Sequence, residues 1–294
     1  MSRTREFSFS ENDFDEIKKR IKNLAGIHLS DHKRDMVYGR MARRLRALHM
    51  TRVDEYLKLV EKEPQELINF TNSLTTNLTS FFRENHHFEY LKKFIIPELL
   101  KLHRSDRKIR IWISASSTGE EAVSTAMVLC DNIPDWKSWD IKILATDLDS
   151  QVIEKCRKGI FPLRNVEDMP ESYLQKYFLK GSGRNADSCR FKPPYQHLIT
   201  YKEFNLIQEK WPLKKQFDVI FCRNVLIYFD KKTQQQVIGN LLNVLKQEGH
   251  LFLGHSESIG TFKSTTTHLG KTWYRNAVDT NQLSRKQKLD KYTL

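Results

Sequence analysis

Cysteine is scarce in this chain of 294 residues: Cys130, Cys156, Cys189 and Cys222 lie far apart, with no C-x-x-C pair. That spacing excludes a disulfide-stapled scaffold and a cysteine zinc site, and it predicts reduced thiols in a cytoplasmic protein. No apolar run approaches the roughly 18 residues of a membrane-spanning helix, so no membrane insertion is expected. The opening MSRTREFSFSENDF has no apolar stretch of signal-peptide length. Glycine is missing from one telling place. The segment SASSTGEEAVS, Ser114 to Ser124, joins the strand-like KIRIWI to the helix-like TAMVLCD, yet its turn holds only Gly119. A pyrophosphate cradle needs several glycines so that backbone amides can approach closely, which argues against a dinucleotide here.

Acidic residues are in deficit. Forty-nine Lys and Arg against 36 Asp and Glu give a net charge of +13, which favours an acidic partner. Nucleic acid, anionic membrane and an acidic protein surface all qualify. Hydrophobic residues at 39% and aromatics at 11% suffice for one large domain or two modest ones.

What is present divides near residue 90. Before it, SENDFDEIKKRIKNLAG carries Phe14, Ile17, Ile21 and Leu24 at helical spacing and ends on Gly26. SDHKRDMVYGRMARRLRALHM places Val37, Met41, Leu45 and Leu48 on one face. RVDEYLKLVEK and PQELINFTNSL read as two more helices, the second opening on Pro64. After a further helix, HHFEYLKKFIIPELLKLH, strands and helices alternate. KIRIWIS, IKILATD, LITYKEFN, FDVIFCR and GHLFLGHS read as strands, and THLGKTWYRN as a final edge strand. Helical EEAVSTAMVLCD, DSQVIEKCRKG and KKTQQQVIGNLLNVLKQEG lie between, which predicts an α/β fold with a parallel sheet covered on both faces. The polar KGSGRNADSCRFKPPYQH predicts an excursion from the sheet, and the tail SRKQKLDKYTL is expected to be disordered.

Ligands of such sheets sit outside the carboxyl ends of the strands. Three of those ends here are polar: SASSTGEE, ATDLDS and CRNVLIYFD. Glu120 and Glu121 would repel a phosphate but suit a cation, although carboxylates also favour a helix N-terminus through its dipole. Asp147 ends the next strand, where an acid accepts hydrogen bonds from ribose hydroxyls. The combination suits a nucleoside with a cationic, phosphate-free tail, and S-adenosylmethionine fits.

The motifs TTNLTSFFRE, STGEE, ATDLDS, FCRNVLIYFD and GHSES, in this order and spacing, make residues 8–276 resemble the chemotaxis receptor methyltransferases, the CheR family. The resemblance implies a class I S-adenosylmethionine-dependent methyltransferase, with a Rossmann-like, mostly parallel sheet. It implies a helical receptor-docking domain over 1–90 and a methyltransferase domain over 91–280. A small inserted β-subdomain is expected at about 178–197, with a basic tail at 281–294. It implies protein-glutamate O-methylation of methyl-accepting chemotaxis receptors, with S-adenosyl-L-homocysteine as product. Cofactor-binding roles fall on Asn77, Thr79, Arg83, Glu121, Asp147, Asn205, Leu206, Arg223 and Asn224. Arg83, holding a carboxylate of cofactor or substrate, and Tyr228, orienting the incoming glutamate, are the candidate catalytic residues. Ala122 and Val123 stand where the family usually has Pro-Tyr. The inserted segment grips a receptor tether in some members, but KGSGRNADSCRFKPPYQH does not match well enough to extend that here.

The second helix carries Lys33, Arg34, Arg40, Arg43, Arg44 and Arg46 against Asp31 and Asp35. Of these, Arg40, Arg43, Arg44 and Arg46 are expected to dock the acidic helical domain of a receptor. A monomer, cytoplasmic and recruited to membrane-bound receptor arrays, is expected, with neither metal nor nucleic acid as a ligand. The rival substrate class is nucleic acid, supported by the charge and by KPPY at Lys192–Tyr195. That string precedes the third strand, whereas amino-methylating nucleic-acid enzymes carry Asn or Asp before Pro-Pro directly after the fourth. Cys222 follows Phe221, where cytosine methyltransferases usually have proline, and reads as a buried strand cysteine. A non-catalytic scaffold is the rival of another class, and the intact Arg83, Glu121, Asp147 and Asn224 argue against it.

Overall fold

A computed structural model describes residues 5–213 and 216–277; the tail expected over 281–294 lies outside them. Helix α1 (Glu11–Ala25) begins at a capping box between Ser10 and Asp13 and ends on Gly26, whose φ of 71° is left-handed. A Cβ at Gly26 would stand 2.6 Å from Ile207 Cγ2, so glycine also lets the chain pass this close to its second half. Phe14, Ile17 and Ile21 pack against Val37, Met41 and Leu45 of α2 (Arg34–Ala47), all fully buried. Helices α3 (Val53–Lys62) and α4 (Pro64–Leu74) complete this core. Within it the Arg44 guanidinium pairs with Glu66, Nη2 to Oε2 at 2.7 Å and Nε to Oε1 at 3.0 Å, and Tyr56 Oη donates to Oε1 at 2.9 Å.

A linker leads to α5 (His86–Tyr90), which runs through a π-helical turn (Leu91–Ile95) into α6 (Ile96–Leu102). The sheet half follows: β1 (Lys108–Ile113), α7 (Glu120–Asn132), β2 (Asp140–Asp147) and α8 (Ser150–Lys158). Next come β3 (Ile160–Pro162), α9 (Glu171–Tyr177), β4 (Phe178–Lys180), β5 (Ser188–Phe191), α10 (Pro193–Gln196) and β6 (Ile199–Glu203). The chain closes with β7 (Phe217–Cys222), α11 (Lys231–Val244), β8 (Leu245–Leu253), β9 (Thr266–Gly270) and β10 (Trp273–Asn276).

The main sheet has seven strands in the order β6-β2-β1-β7-β8-β10-β9. The first five are parallel, and β10 is antiparallel to both neighbours. Every residue of β7 is buried, as expected for a central parallel strand covered on both faces. The order reverses between β1 and β7, and the crevice at such a switch point is where α/β sheets hold ligands.

Two elements differ from the sequence expectation. THLGKTWYRN forms a hairpin, not one edge strand, because the chain turns at Thr272 (φ 49°). The excursion between β2 and β6 holds a three-stranded antiparallel sheet, β3-β5-β4, that begins at Ile160 rather than near 178. Its first strand, Ile-Phe-Pro, is too short to show alternation.

The helical half is stapled across the crevice. Asp149 caps α8 through Oδ1, which accepts from Gln151 N–H at 2.9 Å. Its Oδ2 accepts from Thr75 Oγ1 at 2.9 Å and from Asn77 Nδ2 at 2.8 Å. Asn205 Nδ2 donates to the Leu24 carbonyl at 2.8 Å, and His28 N–H to the Tyr228 carbonyl at 2.7 Å.

Candidate active site

The loop after β1 forms the floor of a cavity. Ser114 N–H bonds the Phe221 carbonyl and Ser116 N–H bonds the Thr146 carbonyl, so three strand ends meet there. The turn then relies on two left-handed residues, Ser117 (φ 48°) and Gly119 (φ 100°). A Cβ on Gly119 would meet Cys156 Sγ at 3.0 Å, which accounts for the single glycine of SASSTGEE.

The cavity measures about 340 Å³, within the few-hundred-Å³ range of small-molecule sites. Asn77, Thr79, Arg83, Glu121, Asp147, Asn205, Leu206, Arg223, Asn224 and Tyr228 all line it. The expected site residues therefore converge, although their side chains are committed in different ways.

Asp147 sits at the carboxyl end of β2. Its Oδ2 accepts from Ser117 N–H at 2.7 Å and its Oδ1 from Asp149 N–H at 3.0 Å. Burial nevertheless pushes its pKa above the usual carboxylate value. Each oxygen retains acceptor capacity, so the carboxylate can still receive two hydroxyls. Glu121, in the first turn of α7, accepts from Arg223 Nη1 at 2.8 Å. Burial raises its pKa, against the pull of that guanidinium.

The Arg223 side chain is 1% exposed. Besides Glu121 it reaches Glu84 Oε2 at 3.5 Å and donates to the Arg83 carbonyl. Glu84 Oε1 accepts from Asn224 Nδ2 at 3.1 Å and from the His255 ring at 3.0 Å. Burial would raise the Glu84 pKa, but His255, Arg223 and Asn224 together outweigh it and hold it at about 2. His255 is thus a hydrogen-bonding strut, and the partner of Glu84 is Arg223 rather than Arg83. Arg83 itself donates from Nη1 to the Leu78 carbonyl at 2.9 Å. It stands between Phe82 (φ 51°) and Glu84 (φ 54°), two non-glycine residues in the left-handed region. Such backbone strain concentrates at functional sites.

Asn77 and Asn205 line the cavity, but both side-chain amides serve the staples across the crevice. Leu206 is buried and forms apolar wall. Tyr228 is half-buried in a 3-10 turn, Leu226–Tyr228, and Lys33 Nζ lies 5.4 Å from its ring centroid. Among the described residues its hydroxyl has no hydrogen-bond partner. Ala122 and Val123 are buried in the first turn of α7, so the site keeps its carboxylates without Pro-Tyr. Cys222 is wholly buried, and burial raises its thiol pKa, as suits a strand cysteine. Lys192 and the prolines of KPPY open α10, away from the cavity lining.

Three further residues matter here: Asp149 was legible in the sequence only as a polar residue at the end of the second strand, with no role, and Ser114 and Glu257 were not singled out. Ser114 Oγ is buried at the cavity wall with no hydrogen-bond partner. Glu257, in GHSES, collects the backbone N–H groups of Gly254, Asn224 and Ile227 at 2.6, 2.9 and 3.3 Å. It thereby ties the loops after β7 and β8 together. Asp149 is the third, as the anchor of the linker. An acid inside each of two motif strings was a visible signal for Glu257 and Asp149; nothing marked Ser114.

The four arginines expected to dock a receptor separate into two kinds. Arg44 is tied to the helical core through Glu66, so its charge is already paired. Arg46 is paired with Glu6 at 2.9 Å. Arg43 is exposed, and Arg40 donates to the Thr75 carbonyl at 2.7 Å and Thr76 Oγ1 at 3.2 Å. Among the described residues, no carboxylate lies within ion-pair distance of Arg40, Arg43 or Lys33, whereas Arg34 pairs with Glu11.

The donor set fits S-adenosylmethionine. Asp147 offers acceptors for ribose hydroxyls, Glu121 an anion for an ammonium group, Arg83 a cation for a carboxylate, and Ser114 a hydroxyl that needs a partner. Sheet order, switch-point crevice and this acid-lined cavity define a class I S-adenosylmethionine-dependent methyltransferase. A family model described as "CheR methyltransferase, SAM binding domain" matches residues 77–275, and one described as "CheR methyltransferase, all-alpha domain" matches residues 12–75. The chain belongs to the CheR methyltransferase family.

Among its relatives is the chemotaxis protein methyltransferase of Escherichia coli K12, 39% identical over 279 residues, covering 94% of both chains. Chemotaxis protein methyltransferase 2 of Pseudomonas aeruginosa is 38% identical over 272 residues, covering 92% of this chain and 95% of that one. The chemotaxis protein methyltransferase of Borreliella burgdorferi is 34% identical over 270 residues, covering 89% and 94%. No helix of the described residues is long and apolar enough to cross a membrane.

Proposed function

We propose that the protein methylates glutamate side chains on the cytoplasmic helical domain of methyl-accepting chemotaxis receptors, forming glutamate methyl esters for sensory adaptation. The observation that carries this reading is the acid-lined cavity opening beside cations of α2 that have no carboxylate partner among the described residues. The division of labour follows the chain: helices up to about residue 90 dock the receptor, and the remainder holds the cofactor. The enzyme acts as a monomer in the cytoplasm, recruited to receptor arrays.

The cofactor supplies a methyl group already activated on a sulfonium. A glutamate, with an unperturbed pKa of about 4.3, is an ionised nucleophile at neutral pH. No general base is required of the chain, and none is assigned. Its residues align and desolvate. Asp147 and Glu121 hold the nucleoside and ammonium ends, with Asn77, Thr79, Asn205, Leu206 and Asn224 shaping the walls. Arg223 separates the charges of Glu121 and Glu84, so that two acids coexist beside one cavity. Arg83 secures a carboxylate, and the unpartnered Tyr228 hydroxyl orients the incoming one.

The test is transfer of labelled methyl into membranes carrying candidate receptors. Base-labile label on receptor glutamates is the expected result; label in nucleic acid, or none on protein, refutes the reading.

Docking by α2 gives a second expectation. The Debye length is about 10 Å at 0.1 M salt, so methylation at low receptor concentration falls as salt rises. Arg43→Glu removes more of that dependence than Arg46→Glu, whose charge Glu6 already offsets, and neither alters cofactor binding. Rate against ionic strength for the three proteins decides it: parallel profiles would make α2 an ordinary solvated face.

A further inference from the structure

Six large hydrophobic side chains stand out as exposed among the described residues: Ile68, Leu78, Leu102, Ile160, Leu179 and Ile227. Single exposed apolar side chains are ordinary, so their placement is what carries information. Only Leu78, 80% exposed, and Ile227, 49% exposed, line the candidate active-site cavity. They come from different segments, Leu78 from the linker after α4 and Ile227 from the turn after β7.

Both are held in place by their backbones. The Leu78 carbonyl accepts from Arg83 Nη1, and Ile227 N–H donates to the buried Glu257 Oε1 at 3.3 Å. The side chains are therefore kept at the cavity in contact with water, an arrangement that gains free energy only when something apolar covers them. Their surroundings are cationic. Arg40 grips Thr75 and Thr76, just before Leu78 in the chain, and Lys33 lies over the ring of Tyr228, the residue that follows Ile227. Neither cation has a carboxylate partner among the described residues. An apolar rim set among unpaired cations complements one kind of surface: an acidic helical segment with an apolar side chain one turn from the carboxylate that enters the cavity.

We propose that Leu78 and Ile227 form an apolar lip that seats this substrate segment and seals the methyl-transfer site against water. The inference rests on the methyltransferase reading above and adds a specificity element to it. Attack of a carboxylate on a sulfonium neutralises charge, so water left at the reacting atoms favours the reactants and slows transfer. The lip thus acts on turnover as well as on docking.

Leu78→Ser, Ile227→Ser and the double variant test it, with Leu78→Met as the conservative control. Because both side chains are exposed, melting temperatures should match wild type, and S-adenosylmethionine titrations separate a substrate contact from a cofactor contact, since both residues line the cavity. With receptor-bearing membranes as substrate, each serine variant should lose roughly three- to tenfold in kcat/KM, as expected for an apolar contact of that size. Part of the loss should persist in kcat at saturating receptor, and Leu78→Met should recover most of it. A double variant with wild-type kcat/KM overturns the lip, and so does a loss wholly explained by weaker cofactor binding. Wild-type enzyme that labels no receptor overturns instead the reading beneath it, and the lip with it.

Discussion

Asp147→Ala is expected to weaken S-adenosylmethionine binding by about 1.5–3 kcal/mol, roughly ten- to 150-fold, the worth of charge-assisted hydrogen bonds to a buried carboxylate. Two effects combine. The variant loses the acceptors available for ribose hydroxyls, and it orphans the N–H groups of Ser117 and Asp149 that now bond the carboxylate. Asp147→Asn retains one carbonyl acceptor and should fall between wild type and alanine. Calorimetric titration of the three proteins measures the order. Equal affinities would show that the acid at the end of β2 serves only the loop, and the cofactor would have to lie elsewhere in the cavity.

Arg44→Ala is expected to cost at most about 3–5 kcal/mol of stability, the range for removing one partner of a buried ion pair, because the Arg44 side chain is 24% exposed. Glu66 has a side chain only 8% exposed, and without Arg44 it retains Tyr56 and Asn69 as donors but no counter-charge. The loss should therefore lie toward the lower end of that range. Arg44→Ala with Glu66→Gln should recover a substantial part of it, since the stranded charge goes too. Denaturant unfolding of both variants gives the comparison. A single variant as stable as wild type would return Arg44 to the solvated face of α2 and reopen its part in docking.

Those two residues mark what the sequence could disclose. Asp147 was legible because a strand end has a fixed meaning in a doubly wound sheet, and an acid there has few other uses. Arg44 was not, because its partner Glu66 lies 22 positions away on another helix. Helical spacing placed Arg44 among the cations of α2 but could not say which of them face carboxylates. The same limit applied to Asn77 and Asn205. Their motifs located them at the cavity, while the atoms their amides hold, Asp149 and the Leu24 carbonyl, belong to the opposite half of the molecule. The parallel strands of the main sheet were legible because β7 reads as a nearly continuous apolar run and β1, β2 and β6 as alternating ones. The hairpin of β9 and β10 and the short β3 were not, since three to five residues show neither period clearly. Ser114 gave no signal at all: one more serine in a serine-rich loop is distinguished only by its lack of a partner.

The linker from Thr75 to Asn77 is held from three sides: by Asp149, by Ser117, whose hydroxyl donates to the Asn77 carbonyl at 3.0 Å, and by Arg40 of α2. The two halves of the protein are therefore tied to each other at the cavity. The helical half shapes the cavity wall, and the α2 face proposed to meet the substrate sits one hydrogen bond away from that wall. Variation that retunes recognition has room on the outer surface of α2, around Arg43, without disturbing the cofactor. At Arg40 it has less, for on the proposed reading a change there would alter substrate docking and the shape of the cavity together. On the proposed reading the two binding functions share one anchor, so a helical half exchanged for another would need to bring a threonine and an asparagine that match Asp149.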